Sequence, residues 1–243
     1  MADLDFRLNR DVLTIAENAR CALLSAGLDL DADGALTLNI EPEVVQDAII
    51  ADINTGAQCV VTNVIDFCPS ALRKMNALKE AEHLSNISIE MTQNMRVQHP
   101  LVRVFPSKLP LDHTNKNSLN EHCDEYKFIA KLFAGKPVDG YLLHGFTNET
   151  ELKCALIGLR KVSAKTLIFD KSNFGESEII AADYQPASSN IAIFDYEKMA
   201  HIDELLDTAI QKAETGAQFL LVNNANPSKT AAICALTKGW PVQ

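Results

Sequence analysis

The 243-residue sequence has no surplus of positive charge: 22 Lys and Arg stand against 32 Asp and Glu, a net charge of -10. Affinity for nucleic acid comes chiefly from cations that displace condensed counterions, so nucleic acid is excluded as an expected partner. Runs of about 18 apolar residues, the length that spans a bilayer, are also missing. The opening MADLDFRLNRD is too charged to be a signal peptide. These absences predict no membrane partner and a cytoplasmic location. The six cysteines, Cys21, Cys59, Cys68, Cys123, Cys154 and Cys234, form no CxxC pair. Neither a disulfide framework nor a compact zinc knuckle is indicated, and the expected state is reduced core thiols. No linker or low-complexity tract divides the chain, and 47% hydrophobic residues suffice for one large core, so residues 1–243 are expected to form a single domain.

What is present is repetition. Apolar runs recur at Val12–Ile15, Cys59–Thr62, Val102–Phe105, Tyr141–Leu143, Thr166–Phe169, Ile191–Phe194 and Phe219–Val222. Stretches of helical period separate most of them, the pattern of parallel strands joined by crossover helices. Before the second run, Glu41–Pro42–Glu43 makes a good first helical turn, Val44, Val45, Ile49 and Ile53 share one face, and Gly56 can end the helix. Ile202–Glu214 repeats the design, with Leu205, Leu206, Ala209 and Ile210 inward and Gly216 as its stop. Phe105–Asn120, with two prolines and several asparagines, reads as one long loop, and Lys171–Asn190 is irregular.

Polar residues follow the strands. Glu17, Asn63, His144, Asp170, Asp195 and Asn223 each lie at or just past a predicted strand's C-terminal end. In a barrel those ends converge on one rim, where ligands bind. Polar residues also end strands simply because loops begin there, so the set carries more weight than any member. His113, His122 and His201, in a polar loop, a helix and a helix start, are expected to be solvated or capping.

The order of motifs resembles the homocysteine S-methyltransferase family, in particular the homocysteine-binding domain of cobalamin-dependent methionine synthase. Arg10–Ile15 resembles its first strand, and Ala26–Asp33 the segment after the first loop. Leu38–Val45 followed by Thr55–Asn63 is similar to LNLTxPEVV…EAGADIIxTN, the most specific stretch. Val138–Phe146 with Glu149–Ala155 resembles VDxLLxETF…ELKAA. Thr215–Ala217, Val222–Ala225 and Asn226–Pro227 resemble the elements around the sixth strand. The resemblance implies a TIM-type (β/α) barrel of α/β class, in which three cysteines hold zinc, zinc binds the homocysteine thiolate, and acidic groups hold the substrate's ammonium.

Several of those positions differ here. The family's first-strand Asp-Gly pair is Ala16–Glu17, its fourth-strand Glu is His144, and its sixth-strand ligand cysteine falls on Asn224. The other two ligands belong to a GGCCG-like motif that this sequence does not contain. Amides are poor zinc ligands, so no cofactor is expected. An alternative metal set is Cys21, Cys68 and His144, with the two thiols in the first two strand-to-helix loops. The barrel is expected to be incomplete or rearranged at its C-terminal end, its gap covered by a partner chain or second copy, by the Ile191–Phe194 run, or by Pro241–Gln243 as a short last strand. The functional expectation is a methyltransferase-like domain that holds an amino acid or methyl carrier through Glu17, Asn63, His144, Asp170, Asn223 and Asn224. The alternatives are a non-catalytic relative, and another barrel enzyme with His144 and Asp170 as acid and base.

Overall fold

The computed structural model describes residues 4–8, 10–30, 34, 37–95, 97–170, 174, 187–188, 191–195, 201–223 and 227–240. Among these described residues, eight strands form one sheet: β1 (Leu13–Ala16), β2 (Cys59–Val61), β3 (His99–Val104), β4 (Gly140–Leu143), β5 (Thr166–Phe169), β6 (Ala187–Ser188), β7 (Ile191–Asp195) and β8 (Phe219–Asn223). Their order is β6-β5-β4-β3-β2-β1-β8-β7, and every pairing is parallel. Helix α1 (Leu4–Leu8) precedes the sheet; α2 (Ala19–Ser25), α3 (Thr37–Ile40) and α4 (Pro42–Asn54) separate β1 from β2. α5 (Pro69–Lys74) and α6 (Ala81–Asn94) lead to β3, α7 (Lys116–Leu132) to β4, and α8 (Glu149–Arg160) to β5. α9 (Ile202–Glu214) joins β7 to β8, and α10 (Pro227–Thr237) follows β8.

Alternation along the strands divides the core in two. Leu13, Ile15, Cys59, Val61, Leu101, Leu142, Ile168, Phe219 and Leu221 point to one face and cluster with Leu4 and Leu8 of α1. Val60, Val102, Val104, Tyr141, Leu143, Leu167 and Phe169 point to the other, against the helices. Helix α1 packs on the first face, so that face is the concave interior of a curled sheet. The sheet's edges support the curl: β6 pairs with β5 at one edge and β7 with β8 at the other. Three residue steps, at most about 11 Å of chain, link Ser188 to Ile191. This is the arrangement of an incomplete parallel barrel. The Ile191–Phe194 run joins the sheet as expected, whereas Pro241–Gln243 lies outside the described residues, as does nearly all of Lys171–Asn190.

The two predicted helices form as their patterns require. α4 buries Val45, Ala48, Ile49 and Asp52, and α9 buries Leu205, Ala209 and Ala213. Their stops, Gly56 and Gly216, have φ of +86° and +91°, the left-handed turn that glycine adopts without a Cβ penalty. The predicted loop Phe105–Asn120 is shorter than expected. Asn115 caps α7 by accepting a hydrogen bond from the Asn117 amide, so Lys116 onward is helical. His122 is also not solvated: it is 1% exposed, and its Nδ1 lies 2.9 Å from the Ser118 carbonyl one helical turn back.

Candidate active site at the barrel rim

The concave face is apolar up to its last layer, and there it changes character. Counting by twos from the interior residues Ile15, Val61, Leu101, Leu142 and Ile168 gives Glu17, Asn63, Arg103, His144 and Asp170. The period of a strand therefore turns residues far apart in sequence toward one rim. Four were expected. Arg103 was not, because it sits inside the apolar run of the third strand, although its place two residues beyond inward-facing Leu101 is a signal that could have found it.

Arg103 is the centre of this layer. Its Nη1 pairs with Glu17 Oε1, and the two side chains are only 11% and 7% exposed. The guanidinium also lies over the Phe105 ring, 4.6 Å from its centroid. Burial lowers the Arg103 pKa to about 10, which still leaves it charged at neutral pH. His144 completes the layer, with Nδ1 3.8 Å from Glu17 Oε2. Burial, then the Arg103 charge, pull its pKa down to about 4, while Asp170 pulls the other way. The imidazole is consequently neutral at pH 7. Arg103 Nε and His144 Nδ1 are both buried without a hydrogen-bond partner, an arrangement that costs free energy until a ligand or water satisfies it.

Asn63 has a different task. Its Oδ1 accepts from the Arg103 amide at 2.8 Å, and its Nδ2 donates to the carbonyls of Ile65 and Arg103. The amide extends the β2–β3 ladder and positions Arg103, which leaves it little capacity for a ligand. Beside His144 is a cavity of about 260 Å³ lined by Gly145, Phe146, Thr147, Phe169, Asp170 and Phe174 among others. His144 and Asp170 thus share one cavity. The Asn223 backbone ends β8 at the same level, its side chain lies outside the description, and Asn224 lies outside the described residues altogether.

The alternative metal set does not assemble. Cys21 lies on helix α2, not in a loop. Cys68, fully buried, directs its Sγ toward the Phe105 carbonyl at 3.7 Å, and burial together with Asp66 and Glu125 pushes its thiol well up. A thiolate ligand requires the opposite shift. Among the described residues no group of three His, Cys, Asp or Glu side chains is arranged to hold a metal ion, so the described part of the rim does not fit a zinc site of the kind the resemblance implies.

No protein-family model matches the sequence, and no curated protein matches it at a significant level. Solved structures do. The metallated form of the homocysteine methyltransferase MmuM from Escherichia coli superposes with a TM-score of 0.71, covering 93% of this chain and 96% of that one at 14% identity. The apo form of the same enzyme gives a TM-score of 0.66 with the same coverage and identity. The chain therefore has an α/β fold like that of a homocysteine methyltransferase. No helix among the described residues is long and apolar enough to cross a membrane.

Proposed function

We propose that this protein is a methyltransferase-like barrel that binds a small zwitterion of amino-acid type at its rim, without zinc-dependent thiol activation. The observation that supports this reading is the buried Arg103–Glu17 pair, with Arg103 Nε and His144 Nδ1 unsatisfied and a cavity at His144. A carboxylate can accept from the guanidinium, and an ammonium can donate to Glu17 or Asp170. The pair is neutral in sum, which suits a zwitterion better than a bare divalent cation. His144, being neutral, can hydrogen-bond a ligand without repelling its ammonium.

Thiol methylation needs a thiolate, and a free thiol of ordinary pKa, about 8.5, is mostly protonated at pH 7. The family resemblance implies zinc for that task, and the described rim offers neither its cysteines nor a substitute set. We therefore place the protein with the non-catalytic relatives of the fold. An acid–base enzyme with His144 as the acid is disfavoured, because burial and Arg103 hold the imidazole at a pKa of about 4, so it carries no imidazolium proton to donate at neutral pH.

Calorimetric titration with homocysteine, methionine and glutamate, with and without zinc, tests the reading. At least one amino acid should bind without added metal, and Arg103→Met and Glu17→Gln should weaken it tenfold or more, an order-of-magnitude expectation for losing a buried charge-assisted bond. Binding to none of them, or zinc-dependent transfer of a methyl group to homocysteine, would sink it.

A further inference from the structure

Away from the rim, helices α7 and α8 meet at a point built for close contact. Gly158 of α8 faces the α7 backbone: a Cβ there would overlap the Cys123 carbonyl oxygen and come within 2.9 Å of Tyr126 Cβ. One turn earlier on α8, Cys154 points to the same crossing, its Sγ 3.7 Å from the carbonyl of Leu119, itself one turn before Cys123. Each thiol is the largest influence on the other's titration, which makes the two side chains neighbours across the crossing. Both are buried, at 6% and 4% exposed, but less completely than Cys59 and Cys68 at 0%.

We infer that Cys123 and Cys154 form a redox-active dithiol, in which peroxide oxidises the pair to a disulfide linking α7 to α8. A disulfide needs close Cα atoms and facing Cβ vectors, and the glycine-mediated crossing, with Gly158 against the Cys123 carbonyl and Cys154 one turn earlier against the Leu119 carbonyl, supplies the approach. The chemistry is asymmetric. The neighbouring Cys154 thiol lowers the Cys123 pKa to about 7, with Lys161 and His122 helping against burial and Asp124. Cys123 is consequently the nucleophile. Its thiolate attacks one peroxide oxygen, the O–O bond breaks, and hydroxide leaves, giving a sulfenic acid. The Cys154 sulfur then attacks the Cys123 sulfur and loses its proton as the hydroxyl leaves as water. In sum, two thiols and one hydrogen peroxide give one disulfide and two waters.

The crosslink reaches the rim through the two helices. Tyr126, three residues after Cys123, and Glu151, three before Cys154, both accept from the Ser107 amide, at 2.9 and 2.7 Å, in the loop that follows β3.

The experiment treats the reduced protein with hydrogen peroxide, quenches with catalase, alkylates under denaturing conditions and maps peptides by mass spectrometry. Alkylatable thiols should fall from six to four, because two of the six cysteines join in one linked peptide containing Cys123 and Cys154, restored by a reductant. In Cys154→Ser, the Cys123 sulfenic acid should persist and be trapped by a cyclic 1,3-dione; Cys123→Ser, which needs no trapped intermediate, should keep all five remaining thiols. Six free thiols after treatment, a linkage through another cysteine or between chains, or sulfinic acid at Cys123 with Cys154 still free would each overturn the proposal.

Discussion

Replacing Arg103 with methionine isolates the interaction on which the rim reading rests. Methionine keeps much of the volume and removes the charge, leaving Glu17, 7% exposed, without its cation. Two unit charges about 4 Å apart attract by about 4 kcal/mol at an effective dielectric of about 20. Removing one partner of a buried pair costs about 3–5 kcal/mol, because the remaining charge stays desolvated. Loss of the stacking on Phe105 adds roughly 0.5–1 kcal/mol. We expect Arg103→Met to destabilise by about 3.5–6 kcal/mol at pH 7.5, read from urea unfolding followed by circular dichroism. The double variant with Glu17→Gln should recover part of this loss, with a coupling energy of about 1–3 kcal/mol. The same substitution removes a cation that holds the His144 pKa down, so the imidazole titration followed by NMR should move upward. An Arg103→Met variant within about 0.5 kcal/mol of the parent, additive with Glu17→Gln, would reduce the pair to an ordinary exposed contact and refute the reasoning.

Three further outcomes follow from the same physics. His144 has a folded pKa of about 4, below its ordinary value, so the unfolded chain binds more protons between about pH 6.5 and 4 and stability falls as pH falls through that window, by about 3 kcal/mol for this group. His144→Gln should remove that part of the pH slope, and superimposable slopes for variant and parent would contradict it. Asp66 has the opposite sign: burial raises its pKa to about 6 and its Oδ2 has no partner. Asp66→Asn should therefore stabilise by roughly 1–2 kcal/mol at pH 8 and lose that advantage below about pH 4, and a variant less stable at pH 8 would count against it. At the α7–α8 crossing, helix propensity favours Gly158→Ala by about 1 kcal/mol, but overlap with the Cys123 carbonyl costs about 1–3 kcal/mol or more. The melting temperature should fall, and a rise would mean the helices separate easily.

The fold was legible because its signals are local. Apolar runs of strand length, helices stopped by Gly56 and Gly216, and polar residues at strand ends are each written in a few neighbouring positions. The parts that escaped depend on which way a side chain faces in three dimensions. His122 looks like an ordinary polar helix residue until the packing of α7 turns it inward. Cys21 falls on a helix because α2 begins at Ala19, close behind β1, leaving no loop long enough to present its thiol at the rim. Cys68 lies in the expected loop region, yet its thiol turns to the Phe105 carbonyl. Arg103 was hidden by its neighbours: in Val102–Phe105 three apolar residues surround it, and only the alternation set by Leu101 shows that it faces the interior.

Alternation also bears on how this rim departs from the family it resembles. The resemblance aligns an acidic residue with Ala16, and here the acid is one position later. In a strand, a step of one residue reverses the face. Leu13 and Ile15 face the concave interior, so Ala16 faces outward and only residue 17 can bring a carboxylate onto the rim. The displacement of the acid is therefore a property of this strand's register. With Glu17 inward, Arg103 on β3 finds a partner, Asn63 fixes the backbone of Arg103, and burial together with the Arg103 charge keeps His144 in its neutral form. These residues depend on one another, and together they make a site suited to a paired charge.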